Sequence, residues 1–294
     1  MDMKNYWIIG DIHGELALLD QLLENINRFD PELIIFVGDF IDRGPHVREV
    51  VDRIMSMGTR VHCLMGNHEL MMMNAIDDMG YGGSPIELWY YNGGEATMHS
   101  FGFTSFFTFQ SQIEAAYLDF FQNLEMSYTF EPLEGLKILV THAGVSPAIP
   151  LRDQIGMKNY RDLNRYLLEE HIEPSSSFLW MREAFFRSDP ELWDGHIVVH
   201  GHTPVLKLKR FVASSGLENF SFMENDLCIR RANSNGRIAS IDIDSGSVIS
   251  GRLSGLGFFV ENTDKAASAL RLRSITLSRE DIFPRDLGMI NKGI

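Results

Sequence analysis

Cysteine is scarce in this chain. Its two cysteines, Cys63 and Cys228, lie far apart in 294 residues. That excludes a disulfide framework and suits two buried, reduced thiols in a cytoplasmic protein. Positive charge is also short, with 26 lysines and arginines against 40 acidic residues and a net charge of −14. A protein that grips nucleic acid through its phosphates needs a basic surface to displace counterions, so no nucleic-acid partner is expected. The same acidic field repels phosphorylated molecules at large. Phosphate chemistry here must therefore rest on metal ions or a few well-placed arginines. No apolar run reaches the roughly 18 residues that span a bilayer, so no membrane partner is expected. No basic, leader-like segment opens the chain; residues 1–10 already read as a strand, and a cytoplasmic protein is expected. What is present is ordinary for a globular protein: 45% apolar and 22% charged residues.

The first seventy residues have a clear rhythm. Residues 6–10 are an apolar strand, and Leu16, Leu19, Leu22, Leu23 and Ile26 then recur at helical spacing over residues 15–28. Residues 33–37 form a second strand, Val47, Val50, Val51 and Ile54 mark a second helix, and residues 61–65 form a third strand. This alternation predicts a parallel sheet with crossover helices. Residues 70–135, rich in Met, Phe, Tyr and Gly, read as mostly helical, a cap-like insertion. Met71, Met72 and Met73 are consecutive and cannot share one helix face, so they read as core packing rather than a plastic substrate cap. Residues 136–140 and 197–199 are further strands, with mainly helical residues 158–187 between them. Beyond Pro204 short strands are expected at 227–230, 237–242 and 247–252, with a tight turn at Ser245-Gly246. No repeat or low-complexity linker interrupts the chain. The expectation is one domain over residues 1–294 with two packed sheets, and a charged surface tail from about residue 265.

Five strands end in potential metal ligands: Asp11 with His13, Asp39, Asn67, His142 and His202. One aspartate or asparagine after a strand is usually a turn or helix-cap residue. Five such endings are not explained by turn chemistry, and in open α/β sheets ligands bind beyond the carboxyl ends of strands. Glycines stand just before four of them, at Gly10, Gly38, Gly66 and Gly201. Carboxylate, imidazole and amide donors without thiolate suit manganese, iron or zinc. Six donors exceed a four-coordinate structural site and match two divalent ions that clamp an in-line displacement.

In order, Asp11-Ile12-His13-Gly14, Gly38-Asp39-Phe40-Ile41-Asp42-Arg43-Gly44, Gly66-Asn67-His68-Glu69, His142-Ala143-Gly144 and Gly201-His202-Thr203-Pro204 resemble the motifs of the phosphoprotein phosphatase family of calcineurin-like metallophosphoesterases. Asn92-Gly93-Gly94 with Thr97, Leu179-Trp180-Met181-Arg182 and Ile243-Asp244-Ser245-Gly246-Ser247-Val248 look like its bacterial branch, which holds phage-type protein phosphatases and symmetrical diadenosine tetraphosphatases. The resemblance covers about residues 5–255. It implies a four-layer α-β-β-α sandwich of two mixed sheets with a dimetal site, manganese first and iron or zinc as alternatives. It also implies roles: Asp11 and His13 on one ion, Asp39 bridging, and Asn67, His142 and His202 on the other. His68 would be the general acid, oriented by Asp42, and Arg43 and Arg182 would clamp the phosphate. His200 reads either as support for the ligands or as a plain strand end. Asn92 reads as a helix C-cap before Gly93 or as a substrate contact.

The implied activity is hydrolysis of a phosphorylated protein or small phosphate ester by a metal-activated water attacking in line. Asp42 favours a serine/threonine protein phosphatase, with tyrosine phosphate also open, because the family's tetraphosphatases tend to carry another residue there. Symmetrical dinucleoside tetraphosphate hydrolysis is the alternative. Pro204 stands where cyclic-nucleotide phosphodiesterases and nucleases of the wider superfamily usually carry a second histidine. A catalytically dead interaction module would have lost a ligand, and none is lost.

Overall fold

The computed structural model describes residues 4–80, 83–224, 226–261 and 269–279. Among them, strands β1 (Lys4–Ile9), β2 (Leu33–Phe36) and β3 (Val61–Cys63) alternate with helices α1 (Leu16–Asn27) and α2 (Val47–Met55). Five helices follow: α3 (Asn67–Ile76), α4 (Pro85–Tyr91), α5 (Gly94–Ser100), α6 (Phe106–Gln112) and α7 (Ala115–Gln122). Then come β4 (Tyr128–Leu133), β5 (Leu136–Val140), α8 (Leu151–Gly156), α9 (Tyr160–Glu169), α10 (Glu183–Arg187) and β6 (Ile197–His200). The chain continues through α11 (Val205–Ser215), β7 (Phe220–Met223), β8 (Leu227–Arg231), β9 (Ile238–Asp242), α12 (Ser247–Ser250), β10 (Arg252–Glu261) and β11 (Ala269–Ser278).

The strands make two mixed sheets, ordered β11-β10-β1-β2-β3 and β4-β5-β6-β9-β8-β7. In the first, β1, β2 and β3 are parallel and β10 is antiparallel to β1. In the second, β5, β6 and β9 are parallel. The period-two alternation of strands explains how the sheets stack. Ile8, Ile35 and Val37 face Ile138, Val140 and Val199 across an inter-sheet core. Their neighbours Trp7, Ile9 and Phe36 point the other way, onto α1, α2 and the helices of residues 67–122. Leu139 and Val198 point out of the second sheet against Phe185, Val205 and Leu208 of α10 and α11. The result is helices, sheet, sheet, helices, as the sequence implies.

Three expectations change. Residues 205–215 form a helix rather than strand and turn; Val205, Leu208 and Val212 make its buried stripe, and a proline is compatible with a helix start. Residues 247–250 are one helical turn between Gly246 and Gly251, both at positive φ, and the strand begins only at Arg252. Val248 and Ile249 read as strand because β-propensity reflects context more than backbone preference. Finally, part of the expected surface tail is the edge strand β11, paired with β10 along its length. Its charges misled: the Arg273 guanidinium lies 4.9 Å from the Phe259 ring centroid and so covers an aromatic face. Residues 280–294 of that tail lie outside the described residues.

Ile8 has no exposed surface at the centre of the inter-sheet core. Ile8→Ala should cost about 2–5 kcal/mol through lost burial and a cavity, read as a shift in the urea unfolding midpoint. A shift equivalent to under ~1 kcal/mol would contradict this packing.

Candidate active site

The parallel strands set the site. Asp11 follows β1, Asp39 follows β2, Asn67 opens α3 after β3, His142 follows β5 and His202 follows β6. Register places β1 beside β2 beside β3, and β5 beside β6, so these ends converge. All six candidate ligands are buried, none more than 4% exposed. All but His142 line one cavity together with Arg43, His68 and Arg182.

Asp39 is the hinge of the arrangement. Its Oδ2 lies 3.5 Å from His13 Nε2 and 3.9 Å from His68 Nε2, and its Oδ1 lies 3.4 Å from His142 Nε2. Two groups suited to an ion share it: His13, Asp39 and His68, and Asp39, His142 and His202. Asn67 Oδ1 sits between His142 Nε2 at 2.9 Å and His202 Nδ1 at 2.8 Å. Asp11 is held differently, both carboxylate oxygens accepting from the His202 amide at 3.0 and 3.2 Å.

Each ring spends one nitrogen on the backbone. His13 Nδ1 donates to Ile41 O at 2.7 Å, and His142 Nδ1 donates to Val37 O at 2.9 Å. His202 Nε2 lies 3.1 Å from Trp180 O. The opposite nitrogen is thereby aimed inward, the usual way a ligating imidazole is oriented. Burial holds all three rings below the ordinary imidazole value, so they are neutral ligands at neutral pH. Burial pushes the Asp39 carboxyl up, but the charge the surrounding imidazoles, His142 foremost, take on when protonated outweighs it and sets the carboxyl below its usual value. Asp11 is pushed well up by burial and then by Asp244 and Asp39. Carboxylates this crowded and neutral imidazoles aimed inward fit divalent cations shared through Asp39.

His68 differs from the other rings. Its Nδ1 is 2.6 Å from Asp42 Oδ2. Burial lowers its proton affinity, yet Asp39 and the Asp42 hydrogen bond more than offset this and leave it raised. A ring biased toward protonation is a poor ligand and a good proton donor. Asp42 is itself fully engaged: Trp89 Nε1 donates to both its oxygens at 3.0 and 3.1 Å, and Thr97 Oγ1 donates to Oδ1 at 2.6 Å. These braces come from α4 and α5. A side chain at Gly94 would strike the Trp89 indole at 2.5 Å, which gives the Asn92-Gly93-Gly94 segment a packing reason. Asn92 itself caps α4, its amide donating to Leu88 O at 2.8 Å.

The arginines reach the same cavity. Arg43 donates through Nη1 to His13 Nε2 at 2.8 Å, and its Nη2 lies 2.7 Å from His68 Nε2. Arg182 Nε lies 3.3 Å from His202 Nε2, and its Nη2 donates to His202 O at 3.4 Å. Its backbone opens α10, whose far carbonyls at Phe185 and Ser188 accept from the buried Arg230 at 3.1 and 2.5 Å. His200 packs edge-on against Phe185 at 4.9 Å with Nδ1 on Gly201 O; none of its bonds reaches a candidate ligand.

Glu69 escaped the sequence reading. Fully buried, it accepts from four amides: Asp39 and Gly66 on Oε2, both at 2.9 Å, and Phe40 and Ile41 on Oε1 at 2.8 and 3.3 Å. Burial and then the Asp39 charge push its carboxyl up to about 8, while the amides pull it back. The turns around the site are strained. His13, Asp39, Asp42, Arg43 and His202 all adopt positive φ between 49° and 69°, a region costly for side-chain-bearing residues and concentrated at functional sites. Gly66 has no room for a Cβ, which would overlap Asp39 Oδ1.

A family model described as calcineurin-like phosphoesterase matches residues 4–232. Serine/threonine-protein phosphatase 2 of Escherichia coli is 37% identical over 93 residues, 31% of this chain and 39% of that protein. The symmetrical bis(5′-nucleosyl)-tetraphosphatase of Bordetella pertussis is 38% identical over 78 residues, 24% of this chain and 26% of that protein. The chain thus spans about a quarter to two fifths of the length of such relatives. Among solved structures, a mutant cold-active protein tyrosine phosphatase superposes with a TM-score of 0.52 at 16% identity, over 91% of this chain and 80% of that one. At that identity the likeness is one of fold.

Glu69→Gln would turn an amide NH2 against backbone N–H groups. It should cost roughly 1–3 kcal/mol or more and weaken metal retention by at least tenfold in equilibrium dialysis. Unchanged stability and metal retention would show that the four amide bonds do not organise the site.

Proposed function

This chain belongs to the calcineurin-like phosphoesterase family, and from that premise we propose that it is a dimetal phosphoester hydrolase whose first substrate class is phosphoprotein. The observation that carries this reading is Asp39, one carboxylate shared by two clusters of buried donors, in a cavity that also holds two arginines. Asp11, His13, Asp39, Asn67, His142 and His202 are assigned as metal ligands, with manganese first. When bound, a divalent pair supplies an activated water and neutralises phosphate charge.

The chain's own residues account for the rest. Arg43 and Arg182 present guanidinium forks suited to phosphate oxygens and to the charge of the transition state. Arg43 borders the His13 nitrogen that would face an ion, which sets its guanidinium beside the place a phosphate would take. His68, held by Asp42, Trp89 and Thr97, gives its proton to the departing oxygen. Cations near its Nε2 favour loss of that proton, and Asp42 counters them. No side-chain nucleophile is required, so no phosphorylated protein intermediate forms.

Asp42 at its place in the Gly38–Gly44 motif and the likeness to bacterial serine/threonine phosphatases favour a phosphoprotein. The likeness to the Bordetella enzyme favours dinucleoside tetraphosphate as the second reading. No helix among the described residues is long and apolar enough to cross a membrane. The two free cysteines and the likeness to bacterial phosphatases support a cytoplasmic location.

Turnover of the manganese-reconstituted protein on a phosphoserine peptide and on diadenosine tetraphosphate, with a chelator control, tests the assignment. Faster, chelator-sensitive turnover of the peptide is expected; faster turnover of the dinucleotide would transfer the assignment. His68→Asn should keep its metal and lose most turnover on substrates with poor leaving groups. Equal losses on nitrophenyl and alkyl phosphates would remove His68 from the role of acid.

A further inference from the structure

The cavity does not end at the candidate ligands. About 280 Å³ in volume, it has a further wall formed by Lys207 on α11, by Asp244 and by α12. Two groups on that wall have no use in the chemistry above. Lys207 is exposed in the first turn of α11, and no carboxylate among the described residues lies within ion-pairing distance of it. In a chain with 40 acidic residues against 26 basic ones, a lysine left unpaired at a cavity is not explained by surface charge balance. Ser247 is 1% exposed, and its hydroxyl has no hydrogen-bond partner among the described residues. A buried hydroxyl left unpaired is costly, and such groups commonly face a ligand.

In this lobe Lys207 adds a second positive charge to that of Arg182, against Asp244; over the whole lining Arg43, Arg182 and Lys207 face Asp11, Asp39 and Asp244. The Asp244 carboxylate is turned in part onto its own loop, Oδ1 accepting from Gly246 N at 2.8 Å. At the rim, Ile249 is 61% exposed, an apolar edge beside a charged floor.

We propose that this wall is a subsite for a second oxyanion of the substrate, next to the phosphate being hydrolysed, with Lys207 Nζ and Ser247 Oγ as its donors. The proposal rests on the phosphoester-hydrolase reading and adds a substrate requirement to it. Because the lobe belongs to the same cavity as the candidate ligands, the second oxyanion is covalently close to the scissile phosphate. Two sources share that chemistry: the next phosphate of an anhydride chain, and a carboxylate flanking a phosphorylated residue. Either gains a charge-assisted hydrogen bond from an ammonium, whose loss weakens binding by roughly tenfold or more. A phosphate ester with a single oxyanion gains nothing from it.

The test uses the full chain loaded with manganese and three substrates: p-nitrophenyl phosphate, diadenosine tetraphosphate, and a phosphoserine peptide with glutamate beside the phosphoserine. Lys207→Ala should raise KM for the second or third substrate by roughly tenfold relative to its effect on the first. Lys207→Arg should recover most of that loss, and Ser247→Ala should produce a smaller loss with the same selectivity. A loss confined to the tetraphosphate assigns the subsite to phosphate, and one confined to the peptide assigns it to carboxylate. Equal effects on all three substrates, or none, overturn the subsite, as does a wild type that turns over nitrophenyl phosphate alone. A wild type inactive on all three substrates removes the hydrolase reading itself, and the subsite with it.

Discussion

The side chains gathered in the cavity stand at the ends of strands in two different sheets, and the two segments that carry Asp39, Arg43, Asn67 and His68 are tied together by the buried side chain of Glu69. Glu69 accepts from the amides of Asp39, Phe40, Ile41 and Gly66, and so joins the turn after β2 to the start of α3. Those segments supply Asp39, Asp42, Arg43, Asn67 and His68. Three residues of the first segment, Asp39, Asp42 and Arg43, adopt positive φ beside these bonds. The strain is concentrated where groups must face one point, and hydrogen bonds of a single acidic residue offset part of it.

A second layer of order surrounds His68. Asp42 orients the ring, and Trp89 and Thr97 orient Asp42. The helical stretch after α3 is therefore coupled to the chemistry at Asp42 as well as to the core. Arg230 does similar work at the other rim, where it holds the carbonyls of α10 behind Arg182. In an acidic chain of net charge −14, these few cations, together with bound metal, create the local field that admits a phosphate.

Much of this was legible in the sequence, for a physical reason. Parallel strands force their carboxyl ends together, so a ligand type after each strand at residues 11, 39, 67, 142 and 202 was enough to foresee convergence. Short continuous apolar runs foresaw the core strands, because each has one face on the inter-sheet core and the other on helices. The braces were not legible. Trp89 and Thr97 reach Asp42 across 47 and 55 residues, and Arg230 reaches Phe185 across 45; no local pattern encodes such contacts. Glu69 stood in its motif without a role, because a capping-box glutamate and an organising one read alike in one dimension. Beyond Pro204 the reading failed where composition favoured strand while tertiary packing selected helix, at α11 and α12.

The central claim is that Asp39 is shared by two divalent ions. The most direct measurement is the metal-to-protein ratio after manganese reconstitution and desalting, for the wild type and Asp39→Asn, with circular dichroism to confirm that both are folded. The account predicts close to two ions per wild-type chain and at most one in the variant, with phosphoester turnover lost alongside. A wild type that hydrolyses phosphoesters at full rate with one ion or none, or a folded Asp39→Asn variant that retains two, would contradict it.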